Sequence, residues 1–308
     1  MNLFTAPDGR LRSIWRFVLA IVVTYFANVV AAGFAAGAGR GRLFELAYRS
    51  LAVVFVLGGY SLLVVLADRV VGNPLAAMGL AFRRQWFRDC AFGILLGFAM
   101  IAFAVAVIAI FGDLSLRVTT PPRTIQRIII VIATLVSGAM LEEVMFRGYP
   151  FQRLVESAGP TGAVLILSAL FGGVHWWNPN ASVWSFLNTT AVGILFCLAY
   201  LRTRSLWMPW AIHFSWNASL GLLFGLPVSG LTVFSVVVRS KASGPTWLTG
   251  GEYGIEASAL GTFVILLGIG AILLFVKPRL EEQYVPVQFG CEPPTNGSDE
   301  NPTERIQM

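Results

Sequence analysis

The ionisable side chains that interrupt apolar sequence are concentrated between residues 142 and 217. The first cluster has the pattern EExxxR and contains Glu142, Glu143 and Arg147. Residues four apart share a helix face, so Glu143 and Arg147 can pair, whereas Glu142 points about 100° away and lacks that partner. A carboxylate without a partner and partly removed from water suits a general base. The alternative is a structural ion pair with Glu142 as a bystander.

The chain has two histidines, and both lie in apolar segments. His175 ends an FxxxH pattern that begins at Phe171 and contains two glycines, which allow a second helix to come close. His213 and Asn217 form an HxxxN pattern, so both face the same side of a helix and offer donors to one point. That pair suits an oxyanion site or, on spacing alone, a metal site. The alternative is hydrogen bonding between helices.

The elements that carry these residues are predicted to be membrane spans. Of the 308 residues, 56% are hydrophobic and 12% are charged, which excludes a soluble globule, a disordered chain and a disulfide scaffold. A segment of roughly 20 apolar residues is long enough to cross a bilayer. Such segments occur near residues 14–36, 49–67, 90–111, 126–149, 160–178, 183–201, 205–225 and 256–276. The sequence therefore predicts an all-α, polytopic transmembrane helical bundle of about eight spans.

Three regions follow from this pattern. Residues 1–84 hold the first two spans and an interfacial segment, residues 85–276 form the core, and residues 277–308 are a polar tail, predicted to be disordered and cytoplasmic. Eight spans place fourteen of the 22 Lys and Arg residues on the side of the termini. The positive-inside rule then predicts that both termini are cytoplasmic. The scattered basic residues do not form a nucleic-acid surface.

The depths of the polar groups favour a single pocket. If spans four and five form a hairpin that turns at residues 157–160, Glu142 and His175 differ in depth by only about 3 Å. Asn217 reaches a similar level from a third helix. Pro150 is expected to end or kink span four just after Arg147.

These motifs resemble those of the CPBP family, which contains the type II CaaX prenyl endopeptidases and bacteriocin-processing and self-immunity proteins. The patterns EExxxR at 142–147, FxxxH at 171–175 and HxxxN at 213–217 occur in the family's order. Residues 250–256 also resemble a late family segment. The resemblance covers residues 85–275 and implies an eight-helix intramembrane glutamate protease.

The resemblance also implies roles for the individual residues. Glu142 and His175 would activate a water molecule, and His213 and Asn217 would stabilise the oxyanion. Glu143 and Arg147 would support the site. The family has also been described as metalloproteases, and a zinc ion would be held by Glu142, His175 and His213. Because HExxH is absent and no Cys or Asp lies near the site, we expect no metal and no other cofactor.

The expected partners are the lipid bilayer and a membrane-associated peptide or protein substrate, with no nucleic acid, in a bacterial inner membrane. Arg83, Arg84 and Arg88 are expected at the face by which substrate enters. Two other functions remain open: a catalytically idle immunity or scaffold protein of the same fold, and a solute transporter with Glu142 as proton carrier. Substrate identity, its prenylation and the oligomeric state are left open by the sequence. Residues 93–97 carry a GxxxG-like helix-contact motif.

Overall fold

Residues 3–279 and 287–288 are described by the structure, a computed structural model that is 72% helical. The helices described are α1 (Ser13–Ala35), α2 (Arg42–Leu66), α3 (Pro74–Ala77), α4 (Trp86–Phe111), α5 (Thr124–Arg147), α6 (Tyr149–Val174), α7 (Val183–Thr203), α8 (Trp207–Ala218), α9 (Thr246–Thr249) and α10 (Ala259–Phe275). The strands described are β1 (Val70–Val71), β2 (Asp113–Val118), β3 (Val238–Ser243) and β4 (Val287–Gln288). The predicted all-α membrane bundle is confirmed.

Each of the eight predicted spans coincides with a helix. Within the described residues, five stretches are long and apolar enough to cross a membrane, and one of them, Thr124–Trp177, contains both α5 and α6. The helices at the seventh and eighth predicted spans are shorter. Helix α8 has 12 residues and continues into a π-helical turn at Ser219–Leu223, and α10 has 17 residues. Exposed Val, Leu, Ile and Phe side chains on the long helices form a surface suited to lipid.

The connection between α5 and α6 has two breaks, and one of them lies within the turn predicted at residues 157–160. Helix α5 ends at Arg147, as Pro150 predicted, because Gly148 leaves the helical conformation and Pro150 lies in the first turn of α6. A second break lies inside α6 at Gly159, whose φ of 73° belongs to the left-handed region that glycine tolerates.

Glycines of α4 bring the backbone of α8 close. A Cβ atom added at Gly97 would lie 2.6 Å from the carbonyl oxygen of Ile212, and one added at Gly93 would lie 2.8 Å from that of Met208. The contact motif at residues 93–97 therefore acts between two helices of the same chain. It fixes α8 at Ile212, the residue before His213.

The two ends of the bundle differ in structure. The terminal end, where α1 begins and α2 ends, holds a cluster of buried charges in which Arg16 and Arg153 pair with Asp68. The opposite end, where α4 ends, carries the antiparallel pair β2–β3, in register from Asp113↔Ser243 to Val118↔Val238. We call it the hairpin end after this strand pair; the turn between α5 and α6 is not part of it. Helices α1 and α2 pack against α6 and α5, respectively. Of the predicted tail, all but 277–279 and β4 lies outside the described residues.

Candidate active site

Two histidines from two different segments converge on one carboxylate oxygen, which belongs to Glu142 on a third segment. Oε2 of Glu142, on α5, lies 3.8 Å from Nε2 of His175 and 3.7 Å from Nε2 of His213. His175 begins the short turn that follows α6, and His213 lies on α8. The distances exceed a direct hydrogen bond, and Oε2 of Glu142 is buried without a hydrogen-bond partner in the described residues. The predicted meeting of these residues is present in the structure.

The carboxylate of Glu143 contacts His213 at the ring nitrogen that does not face Glu142. Oε1 of Glu143 lies 2.9 Å from Nδ1 of His213 and accepts a hydrogen bond from Nη1 of Arg147 at 3.3 Å. Glu143 and Arg147 are both fully buried. The predicted pairing of Glu143 with Arg147 is therefore present, and it orients the His213 ring as well. Because an ionised carboxylate only accepts, Nδ1 of His213 donates and Nε2 faces Glu142.

The phenylalanine of the FxxxH pattern has two structural roles. Its carbonyl oxygen accepts a hydrogen bond from Nδ1 of His175 at 2.7 Å, which turns Nε2 towards Glu142. Its ring lies 4.4 Å from Cζ of Arg147, and the ring of Phe196 lies 5.1 Å from the same atom. Phe171 therefore orients the histidine and also surrounds the buried guanidinium, whose cation–π contacts help to offset its desolvation.

Local sequence explains how His175 is placed. The capping box at Ser182 and Ser185 starts α7 a few residues after the short turn that holds His175. Gly172 then lets α7 approach, since a Cβ atom there would lie 2.3 Å from Oγ1 of Thr190. Gly173 has open space around it, so only one of the two glycines in the motif serves close packing.

The converging residues line a cavity of about 310 Å³. Its polar lining includes Tyr48, Arg49, Glu142, His175, Asn178, Asn188, Thr189, His213, Asn217, Ser229 and Glu256. Asn217 follows His213 by one helical turn on the cavity side of α8, as the HxxxN spacing predicted. The cavity thus holds all four predicted catalytic residues, with Glu143 and Arg147 behind them.

Arg83, Arg84 and Arg88 lie away from the loops that line the cavity, so their position at the face by which substrate enters stays a prediction. The connecting segments that line the cavity, at Asn178 and at 228–234, belong to the hairpin end of the bundle. The three arginines instead lie just before and within the start of α4, at the terminal end. Sequence position did not show at which end the loops enclose the site.

Arg49 is a site residue that the motifs did not predict. Its Nη1 atom lies 3.9 Å from Oε1 of Glu142, so the carboxylate has a cation nearby despite lacking Arg147 as a partner. Arg49 is the first residue of the span predicted at 49–67, a position typical of a charge that flanks the membrane. In the sequence, the feature that marks Arg49 is its spacing of four from Glu45, which predicts an ion pair on one helix face. The Glu45 carboxylate lies 3.4 Å from Nε of Arg49.

Glu256 is a second carboxylate on the cavity wall. It accepts a hydrogen bond from Nε1 of Trp216 at 2.9 Å and another from the backbone N–H of Ser229. These bonds tie the segment before α10 to the residue that precedes Asn217. Residues 250–256, noted above for their resemblance, therefore end at a contact with α8.

Two comparisons with known proteins found relatives of this chain. Residues 124–219 match the family model described as "Type II CAAX prenyl endopeptidase Rce1-like". The Bacillus subtilis (strain 168) protein named "Putative membrane peptidase YdiL" is 33% identical over 100 residues, which are 32% of this chain. The chain spans 39% of the length of that relative. No solved structure gives a significant match. The segment 124–219, which carries all three motifs, is therefore similar to the type II CAAX prenyl endopeptidase Rce1-like family, and the predicted resemblance to the CPBP family is confirmed.

Proposed function

We propose that this protein is an intramembrane endopeptidase that hydrolyses a peptide bond in a membrane-associated protein or peptide. The observation that carries the proposal is that Nε2 of His175 and Nε2 of His213 both lie within 3.8 Å of Oε2 of Glu142. The same cavity also contains Asn217. A carboxylate base, a second proton-transfer group and two donors are what water-dependent acyl cleavage requires. The match to a membrane protease family and to a protein named as a peptidase agrees with it.

In the proposed mechanism Glu142 removes a proton from a water molecule while His175 orients it. The water oxygen forms a bond to the peptide carbonyl carbon, and the carbonyl oxygen becomes an oxyanion. The C–N bond then breaks, and the proton held by Glu142 passes to the leaving nitrogen. The products are a carboxylic acid and an amine, so one water molecule is consumed for each bond cleaved.

The oxyanion would be held by His213 and Asn217. Nδ1 of His213 already donates to Glu143, so His213 donates from Nε2 only in its doubly protonated form. Oε1 of Glu143 accepts the Nδ1 hydrogen bond in that form, and Arg147 keeps Glu143 in place. Glu143 and Arg147 are therefore positioning residues in this mechanism.

A zinc-dependent variant is the second candidate. In the neutral form of both histidines, each Nδ1 donates to a protein oxygen, which leaves the Nε2 lone pairs free, at 3.8 and 3.7 Å from Oε2 of Glu142. Histidines that bind zinc are commonly oriented in this way by an oxygen acceptor, so the chemistry of these donors suits zinc. In the described residues, however, no group of three or more His, Cys, Asp or Glu side chains is arranged to hold a metal ion. A zinc ion there would supply a Lewis acid and a water of lowered pKa. We favour the metal-free mechanism.

The protein is an integral membrane protein, and we propose that it resides in a bacterial inner membrane with both termini in the cytoplasm. The excess of Lys and Arg on the side of the termini supports that orientation.

The first test compares purified wild type with Glu142→Gln in detergent, on a mixed library of prenylated and unmodified peptides read by mass spectrometry. We expect cleavage by the wild type and none by the variant. Glu252→Gln, which changes an exposed carboxylate, is the matched control and is expected to retain activity. Cleavage by Glu142→Gln would overturn the role of Glu142.

The same purified protein also tests the two other functions, an idle immunity or scaffold protein and a transporter. A catalytically idle immunity or scaffold protein would cleave nothing in the library, and its phenotype would survive Glu142→Gln. A transporter would show solute flux in proteoliposomes that depends on Glu142, again without cleavage. The intact set of motifs and their convergence support the enzyme.

A further inference from the structure

A tight turn in the connection between α8 and β3 forms part of the cavity wall. The backbone N–H of Val228 donates to the carbonyl oxygen of Leu231, and the N–H of Leu231 donates to that of Val228, both at 2.9 Å. The two residues between them, Ser229 and Gly230, have φ values of 47° and 81°. A type I′ turn has positive φ at both central positions, which serine adopts less readily than glycine. Contacts from outside the turn are therefore expected to stabilise it.

Glu256 supplies such a contact and also holds helix α8. Its Oε2 atom accepts a hydrogen bond from the backbone N–H of Ser229, and its Oε1 atom accepts one from Nε1 of Trp216 at 2.9 Å. Both oxygens of this carboxylate are thus occupied by protein donors. Oε2 of Glu142, by contrast, has no hydrogen-bond partner in the part of the chain that the structure describes. Glu256 therefore binds two parts of the cavity wall and is not a second candidate for the general base.

The backbone that carries Glu256 is itself held in place. Nδ2 of Asn188, on α7, donates to the carbonyl oxygens of Glu256 and Ser258 at 3.0 and 2.9 Å. The N–H of Gly230 donates to the carbonyl oxygen of Tyr253 at 3.1 Å, which joins the turn to the same segment a second time. Residues 253–258 thus form a fixed support between α7 and the turn.

The hydrogen bond to Trp216 fixes the end of α8 that carries Asn217. Trp216 directly precedes Asn217, and the α-helix changes to a π-helical turn at Ser219–Leu223, two residues further on. That change interrupts the regular hydrogen-bond pattern, so the following backbone constrains Asn217 less than a continuing α-helix does. The Asn217 amide makes no hydrogen bond of its own to the described residues. Its direction therefore depends on how this helix end is held.

We propose that Glu256 is a positioning residue, which directs the Asn217 amide at the oxyanion by holding Trp216 and the 228–231 turn together. The inference rests on the proposed function. In that mechanism Glu256 contacts neither the attacking water nor the peptide carbonyl, and it keeps the oxyanion donor in the geometry that the transition state needs. Residue 256 lies outside the segment 124–219 that matches the family model, so this role is additional to those of the motif residues.

Substitutions at both partners test this role in the detergent assay. Glu256→Gln leaves one acceptor oxygen for two donors. Loss of an oxyanion donor typically lowers kcat by about 10²–10³-fold, so we expect a misdirected one to cost about tenfold or more, with KM changed less than about threefold. Trp216→Phe, which removes the indole donor, should have a similar effect. Ser229→Gly keeps the backbone N–H and suits positive φ, so it should retain activity, as should Glu252→Gln at an exposed carboxylate.

The Asn217→Ala background distinguishes positioning from a general structural role. With no amide left to direct, Glu256→Gln should lower kcat by less than about twofold further. An unchanged kcat for Glu256→Gln alone, or an equal further loss in the Asn217→Ala background, would overturn the inference. Hydrogen exchange at residues 228–231 gives a readout without activity, and we expect it to be faster in Glu256→Gln than in Ser229→Gly. If the wild type cleaves no peptide, the proposed function fails, and the exchange rates still decide whether Glu256 holds the turn.

Discussion

Arg49 Nη1 lies 3.9 Å from Glu142 Oε1, which makes helix α2 part of the candidate active site. Arg49 lies outside the segment 124–219 that matches the family model, so the N-terminal pair of helices adds a charge to a site built from the core. Its guanidinium fits against α5 because residue 138 is glycine: a Cβ atom there would lie 2.5 Å from Nη1.

Removing that charge is predicted to weaken catalysis. At about 4 Å and an effective dielectric constant of about 20, two unit charges interact by about 4 kcal/mol, before solvent screening of the partly exposed pair reduces it. We expect Arg49→Met to lower kcat/KM about tenfold or more, with Arg49→Lys between it and the wild type. Arg127→Met, an exposed arginine at the same end, is the control.

Gly138→Ala tests the same contact from the opposite side. The added methyl group must displace the Arg49 guanidinium, so we expect a loss of activity similar to that of Arg49→Met. In the double variant with Arg49→Met, Gly138→Ala should have little further effect on kcat/KM. Additive losses in this double-mutant cycle would show that the two residues act independently.

The neighbouring carboxylates Glu142 and Glu143 are predicted to differ in what their loss affects. Glu143→Gln leaves the fully buried Arg147 without its charge partner, and breaking a buried pair typically destabilises by about 3–5 kcal/mol. Glu142→Gln, at a partly exposed position, should abolish cleavage and change stability by less than about 1 kcal/mol. Thermal unfolding in detergent measures both. An equal loss of stability would contradict the assigned roles.

Close packing of α4 on α8 is predicted to be needed for an ordered site. Gly97→Ala places a methyl group 2.6 Å from the Ile212 carbonyl oxygen, and such overpacking typically destabilises by about 1–3 kcal/mol. We expect a lower Tm and reduced activity. Gly173→Ala, with nothing within 4 Å of the added atom, should leave Tm unchanged or slightly raised. A harmless Gly97→Ala would show that α8 has room to shift.

Excess chelator separates the two chemical mechanisms. We expect the metal-free enzyme to retain its kcat/KM after prolonged treatment with a strong zinc chelator and dialysis. A loss that added zinc restores would establish the zinc-dependent variant. Metal analysis of the purified protein then gives an independent readout, with Glu142→Gln, which alters one of the three ligands, as the comparison.

The sequence alone determined the class of fold and the identity of the motif residues. Hydrophobic runs of span length predict the order of the long helices, because in a bilayer a segment must satisfy its own backbone hydrogen bonds. Spacings of four place Glu143 beside Arg147 and His213 beside Asn217, since that geometry is local to one helix. Pro150 likewise marked the end of α5.

The tertiary structure decided what local spacing leaves open. Arg49 meets Glu142 across 93 residues of sequence, and Glu256 meets Trp216 across 40, because helix packing brings distant residues together. The glycines that permit close packing, Gly97 and Gly138, have no chemical signature that separates them from Gly173. The end at which the cavity is covered also depends on how connecting segments fold back over the bundle. Periodicity describes a single helix face, and only the packed chain shows what that face touches.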